Sequence, residues 1–229
     1  MPRYRAVLPW APSCTAVSSI CLRRFRQTFQ VFPSYPKPVF IPWTTRERHG
    51  FLSEALFMVS HSGTHVDAPL HYRPEGKALH ELPVTKFVVP CRLLDLRPLR
   101  VKSRIGPGAL RKALRGVPLA RGSGVILWTG WEAKRGRRAY LYENPGLTRN
   151  GAEELLRGGP SIVGIDTANL DLPDAGDFPA HHTLLKASVP ILENLAGLAD
   201  LRASSFTLVA LPLKLRGATG SPIRAVALV

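Results

Sequence analysis

Apolar positions in this chain gather into short continuous runs more than into helical stripes. Residues 87–96, 124–129 and 161–166 are runs of buried-strand length, and 206–215 and 223–229 add two more, rich in Val, Leu and Ile. Residues 56–60 read as a further strand that delivers the polar segment 61–71 at its end. Helical patterning is confined to 108–114 and 148–157, and Gly158-Gly159-Pro160 stops the second. Prolines at 33, 36, 38 and 42 predict an extended, turn-rich lead-in. Strands outnumber helices, so the expected fold class is α/β or α+β, a single sheet-dominated domain. No repeat or linker divides residues 27–229, and no run of about 18 apolar residues is present to cross a membrane.

Composition alters this picture mainly through charge. With 229 residues, 45% of them hydrophobic and 21% charged, the chain suits one globular domain. The net charge of +15 is unevenly placed: no acidic residue precedes Glu47, while Arg3, Arg5, Arg23, Arg24 and Arg26 crowd the start. Residues 1–26 therefore read as an atypical N-terminal extension, either disordered or a misplaced start. A second basic stretch runs from Arg97 to Arg138, interrupted only by Glu132. Neither stretch interleaves aromatic residues or carries a nucleic-acid-binding motif, which leaves a solvated arginine-rich surface ahead of RNA binding. Cys14, Cys21 and Cys91 form no CxxC pair, which fits a reducing, cytoplasmic location without structural disulfides. Pro9 and Pro12 interrupt any signal-peptide core.

The candidate chemistry concentrates in His61-Ser62-Gly63-Thr64-His65-Val66-Asp67-Ala68-Pro69-Leu70-His71. Divalent metals such as zinc take this mixture of imidazole nitrogen and carboxylate oxygen. Gly63, the β-branched Thr64 and Val66, and Pro69 oppose a helix here. On an extended path His65 and Asp67 point the same way, and Gly63 lets the chain bend His61 towards them. The competing reading is three unrelated surface histidines, but only seven histidines occur in the whole chain. Downstream, His181, His182 and Glu193 are further candidates. A glutamate within Ile191-Leu192-Glu193-Asn194-Leu195 needs either a salt bridge or a metal, and local sequence leaves both open.

The pattern H-x-G-T-H-x-D-x-P-x-H resembles the metal-dependent cyclase family, which includes bacterial kynurenine formamidases and isatin hydrolases. Thr129-Gly130-Trp131, the run from Tyr142 to Leu147, Gly164-Ile165-Asp166-Thr167, Leu211-Pro212-Leu213-Lys214 and 220–226 extend the resemblance over residues 28–229. It implies the swivelling β/β/α fold, with His61, His65 and Asp67 as metal ligands and His71 as the proton-handling catalytic residue. A later histidine twelve positions before a glutamate completes a second metal site in the formamidase branch. That spacing selects His181 with Glu193 and leaves His182 as an exposed neighbour. One or two divalent ions per chain are implied, Zn2+ first and Mn2+ as an alternative, with Asp67 and Glu193 shared between two.

The resemblance further implies hydrolysis of a small-molecule amide by a metal-activated hydroxide, arylformamidase-like, in a homodimer or homotetramer. The alternative is a hydrolase or cyclase acting on another cyclic amide, lactone or polyketide-type carbonyl compound. Asn169 departs from the family, standing where serine is common, and residues 1–26 do not resemble the usual start. Phe40, Trp43 and Trp131 are candidates for an aromatic substrate wall, each equally compatible with a core role.

Overall fold

The computed structural model describes residues 17–20, 30–116 and 118–229. In chain order its elements are β1 (Val17–Ser19), β2 (Val39–Thr44), α1 (Arg46–His49), β3 (Ser53–Phe57), β4 (His65–Asp67), β5 (Val88–Asp95), β6 (Arg104–Ile105), α2 (Pro107–Leu114), β7 (Gly124–Trp128), α3 (Ala139–Tyr142), β8 (Gly146–Leu147), α4 (Arg149–Arg157), β9 (Ile162–Ile165), α5 (Pro179–Lys186), β10 (Ile191–Glu193), β11 (Ser205–Val209), β12 (Gly220–Pro222) and β13 (Val226–Leu228). Nine strands form one mixed sheet in the order β1-β13-β11-β5-β7-β9-β10-β4-β12. Its centre, β5-β7-β9-β10, is parallel, and antiparallel strands flank it on both sides. The sheet-dominated α/β class expected from the runs is what forms.

This sheet cannot be flat. Only Ile223, Arg224 and Ala225 join β12 to β13, which lie seven places apart in the strand order. Seven spacings of ~4.8 Å would span roughly 34 Å, whereas that linker reaches about 14 Å when fully extended. The sheet therefore curls until its edges approach. The core agrees: Ile20 and Ala227 from one end of the order share a hydrophobic cluster with Val66 from the other.

Side-chain alternation along the strands separates two cores. Ile126, Trp128, Ile162 and Leu192 enter the cluster inside the curl. Val125, Leu127, Val163 and Ile191 face outward and are covered by Leu110 of α2, Leu155 of α4, and Leu184 and Leu185 of α5. Parallel strands buried on both faces read as unbroken apolar runs, which is why 124–129 and 161–166 were legible.

Three expectations need correction. The strand expected at 56–60 ends at Phe57, and β3 pairs only with β2 in a separate hairpin; the histidine motif supplies its own strand, β4. The run at 206–215 ends as a strand at Val209, because Pro212 has no N–H for a ladder and makes only an isolated bridge to Ile223. Helix α5 had no expected counterpart. It is short, and its adjacent histidines blur the apolar period.

Of residues 1–26, Val17–Ser19 pair with β13 and Ile20 is buried; the rest, including Cys14, Cys21 and the early arginines, lie outside the described residues. Among the described residues no helix is long and apolar enough to cross a membrane.

Candidate metal centre

The antiparallel register of β4 and β10 sets His65 opposite Glu193 and Asp67 opposite Ile191. Val66 and Leu192 point into the inner core, so alternation turns His65, Asp67 and Glu193 to the outer face, where α5 presents His181. Gly63, at φ 68°, makes the left-handed turn that returns His61 to the same centre. Gly220 on β12 lies opposite Asp67, and a Cβ there would stand 2.5 Å from Cε1 of His61. Glycine at 220 is what leaves room for that ring.

Neighbouring groups fix which imidazole nitrogen faces inward. His65 Nδ1 bonds the Gly63 carbonyl at 2.8 Å, leaving Nε2 3.2 Å from Asp67 and 3.6 Å from Glu193. His181 Nδ1 bonds Asp171 Oδ2 at 2.6 Å, leaving Nε2 3.1 Å from Glu193 and 3.5 Å from Asp67. His61 Nδ1 lies 2.6 Å from Asp67 Oδ1, while its Nε2 meets Thr219 Oγ1 at 2.9 Å. Glu193 Oε1 accepts the Leu170 N–H at 2.7 Å. Asn194, left-handed at φ 57°, turns the chain immediately after Glu193; Thr64 and Arg135 donate to its carbonyl and Tyr140 to its Oδ1.

These spacings suit a cation. Ligands ~2.1 Å from a tetrahedral ion stand ~3.4 Å from one another, within the observed 3.1–3.6 Å contacts of His65 and His181. Two triads qualify, His61-His65-Asp67 and Asp67-His181-Glu193, with Asp67 common to both. Asp67 Oδ2 is buried without a hydrogen-bond partner. Buried carboxylate oxygens are rarely left so, and a cation is the partner this donor set would serve.

Charge in the cluster points the same way. Burial alone would push His65 down, but the charge and hydrogen bond of Asp67 outweigh it and hold the imidazole up at about 9. His181 is likewise raised, its desolvation outweighed by Asp171, Asp67 and Glu193. Asp67 is held well below the usual carboxylate range: its burial is overcome by the His65 charge and by the close approach of the His181, His61 and His65 imidazoles. The cluster thus retains protons where a divalent ion would sit, and metal binding must displace them. His71 behaves oppositely. Burial, reinforced by the surrounding imidazoles and opposed by Asp67, holds it down at about 4.

A cavity of about 160 Å³ opens over the cluster. His71 lines it, half-buried, its ring stacked on His61 with centroids 3.9 Å apart. Thus all six predicted site residues, His61, His65, Asp67, His71, His181 and Glu193, line one cavity, and His182 is exposed beside it.

The aromatic wall is not the expected one. Trp43 is 72% exposed on the β2–β3 hairpin, Phe40 lies on the same hairpin, and Trp131 is buried elsewhere. The rings at the cavity are Phe32, Tyr35, Tyr72 and Phe178. Sequence reasoning also missed Asp171 and Thr219, which orient His181 and His61. The only local signals were a tyrosine directly after His71 and an aspartate in the loop before His181.

A curled mixed sheet carrying buried imidazole–carboxylate triads that share one aspartate is the framework of a candidate metal centre. The chain belongs to the Cyclase family, whose model matches residues 18–172. It is 36% identical over 177 residues to a kynurenine formamidase from Paracidovorax citrulli, covering 75% of this chain and 77% of that protein. The corresponding enzyme of Salinibacter ruber is 34% identical over 194 residues, covering 80% and 84%. Among solved structures, an isatin hydrolase bound to the product analogue thioisatinate aligns with a TM-score of 0.85 and 26% identity, covering 93% of this chain and 92% of that one.

Proposed function

We propose that this chain is a metal-dependent amide hydrolase that cleaves a small aryl formamide. The observation that carries the reading is the pair of triads sharing Asp67 at an aromatic-walled cavity. His61, His65 and Asp67 would hold one divalent ion, and Asp67, His181 and Glu193 a second. Zn2+ suits this donor set best and Mn2+ is admissible. When bound, such an ion supplies polarisation of a carbonyl and a water acidified towards neutrality.

The chain's own residues do the rest. An apolar cavity of ~150 Å³ holds one benzene ring, so 160 Å³ accepts a single aryl group between Phe32, Tyr35, Tyr72 and Phe178. His71 is unprotonated at neutral pH, so an imidazole nitrogen can take the proton of the attacking water and pass it to the leaving nitrogen. That role is worth ~10²–10⁴-fold. Asp171 and Gly63 hold His181 and His65 in the tautomers that turn Nε2 inward. The likeness to an isatin hydrolase favours a second reading, opening of a cyclic aryl amide in the same cavity. The residue span 27–229, with Val17–Ser19 and Ile20 added to its sheet and core, would act as one catalytic domain in the cytoplasm.

Metal atoms per chain should be counted, and formanilide and isatin assayed with and without chelator. Chelator-sensitive hydrolysis of formanilide is expected. In His71→Ala it should fall by roughly 10²–10⁴-fold with metal retained. Hydrolysis unaffected by chelator, or full activity in His71→Ala, would sink the reading.

A homo-oligomer is part of the same proposal. Val39, Ile41, Trp43, Phe51, Leu52, Leu56 and Phe57 stand exposed on or beside a hairpin that would be marginal alone in water. At roughly 100 Å² each they offer about 700 Å², close to the ~800 Å² per partner of a stable interface. Sedimentation should show a dimer or larger species that Trp43→Glu with Phe57→Glu converts to monomer; a monomeric parent would refute it.

A further inference from the structure

One polar group at the cavity has no role in the chemistry above. Asn169 is 8% exposed and lines the wall. Its carbonyl accepts from Thr167 Oγ1 at 2.6 Å and from Asn144 Nδ2 at 3.3 Å, and its Oδ1 accepts the Asp171 N–H at 2.7 Å. A backbone N–H can only donate, so the bond from Asp171 decides which branch of the amide is oxygen. The other branch, Nδ2, carries two donors and meets no acceptor among the described residues. With the residue pinned on three sides, the amide cannot turn away without breaking the Asp171 contact. Unspent within the protein, these donors stand at the wall of the cavity that Asn169 lines, open to whatever occupies it. Asn169 directly precedes Leu170, whose N–H holds Glu193, so it belongs to the carboxylate side of the cavity. A bare hydrocarbon ring offers such a donor nothing.

We propose that Asn169 is a specificity-determining residue: its amide donates to a second oxygen of the substrate. The site thereby selects aryl amides bearing a carbonyl or carboxylate oxygen besides the scissile amide. This rests on the amide-hydrolase reading above. Fixed donors are the structural point, since a preorganised amide loses little freedom on binding and is left unpaired by an analogue without the oxygen.

The test uses two formamides of matched shape, the N-formyl derivatives of ortho-aminoacetophenone and ortho-ethylaniline, which differ by one oxygen. Their kcat/KM ratio is measured for the parent, Asn169→Asp and Asn169→Ala, with metal counted per chain. Asn169→Asp keeps an oxygen for the Asp171 N–H but exchanges the donors for a charge, whereas Asn169→Ala removes the donors without one. Lost donation lowers the ratio in both variants, and a fall confined to Asn169→Asp would be an effect of charge and would overturn the proposal. The ratio should fall by about 10- to 100-fold in Asn169→Asp at unchanged metal content. An unchanged ratio overturns the proposal. Calorimetric binding of the two free amines to metal-loaded parent and Asn169→Asp reads the same preference without turnover. Should the parent hydrolyse neither formamide, the functional reading falls. The binding preference then decides Asn169: its loss in the variant supports the role, and its persistence refutes it.

Discussion

Asp67 and Asp166 are the same residue type, both almost fully buried, yet their surroundings differ in kind. Asp166 Oδ1 accepts the Thr129 N–H at 2.9 Å and the Thr129 hydroxyl at 2.6 Å, tying the end of β7 to the end of β9 with neutral donors. Burial still pushes its carboxyl up to about 6. Asp67 meets three imidazoles and keeps one oxygen without a hydrogen bond. The first is a saturated structural tie. The second is a group with coordination capacity to spare, and that surplus, more than burial, is what marks Asp67 as the candidate ligand.

The largest expected effect breaks this pair apart. Asp67→Asn alters the one residue common to both candidate triads, so under the proposed assignment both ions should be lost together. Hydrolysis should fall by roughly 10³-fold or more, the several kcal/mol that metal assistance contributes. Asp166→Asn should retain its metal and most of its activity while unfolding more easily, because its amide nitrogen would face donors. Metal analysis and denaturant melts on both variants decide the matter. Retained metal in Asp67→Asn, or lost metal in Asp166→Asn, would erase the distinction.

The two regions were not equally legible. His61, His65 and Asp67 could be read locally, since extended spacing and one glycine suffice to bring them together. His181 and Glu193 were candidates on local sequence, but only resemblance chose them: their meeting with Asp67 depends on the β4–β10 register and on a helix whose sequence shows no clean period. Phe32 and Tyr35 reach the cavity from the lead-in, a long-range placement that no local pattern encodes. The curl was invisible for the same reason, because it follows from pairing at opposite edges joined by three residues. Thr129-Gly130-Trp131 and Gly164-Ile165-Asp166-Thr167 stood out as blocks beside the histidine motif, yet the Thr129–Asp166 contact makes them scaffold. A recurrent block announces constraint, and only geometry says which kind.

A smaller effect separates the regions by pH. In metal-free protein, His65 rises from 6.5 to about 9 on folding. Stability from a raised imidazole is fully present below the unfolded value and lost as pH climbs through the folded one. Thermal unfolding in chelator should therefore show stability falling between pH 6.5 and about 9, by about 3 kcal/mol. Saturating Zn2+ should abolish or reverse that fall, since deprotonated imidazoles bind the ion better. A flat profile in chelator would mean that the cluster does not store protons in place of metal.

The smallest effect tests the structural tie alone. Thr129→Val keeps shape and removes the hydroxyl that donates to Asp166 and accepts the Trp131 N–H at 3.1 Å. A cost of about 1–2 kcal/mol is expected, with metal content and hydrolysis unchanged. The sign of its pH dependence follows from Asp166, whose carboxyl already stands above its ordinary 3.8. Losing a donor to the charged form raises it further, so the penalty should be larger above pH about 6, where the parent's carboxylate is ionised, and shrink below it. Melts on either side of that pH measure the difference. A penalty independent of pH would mean that the hydroxyl serves Trp131 rather than Asp166, and a parallel loss of metal would show that the two buried aspartates are coupled after all.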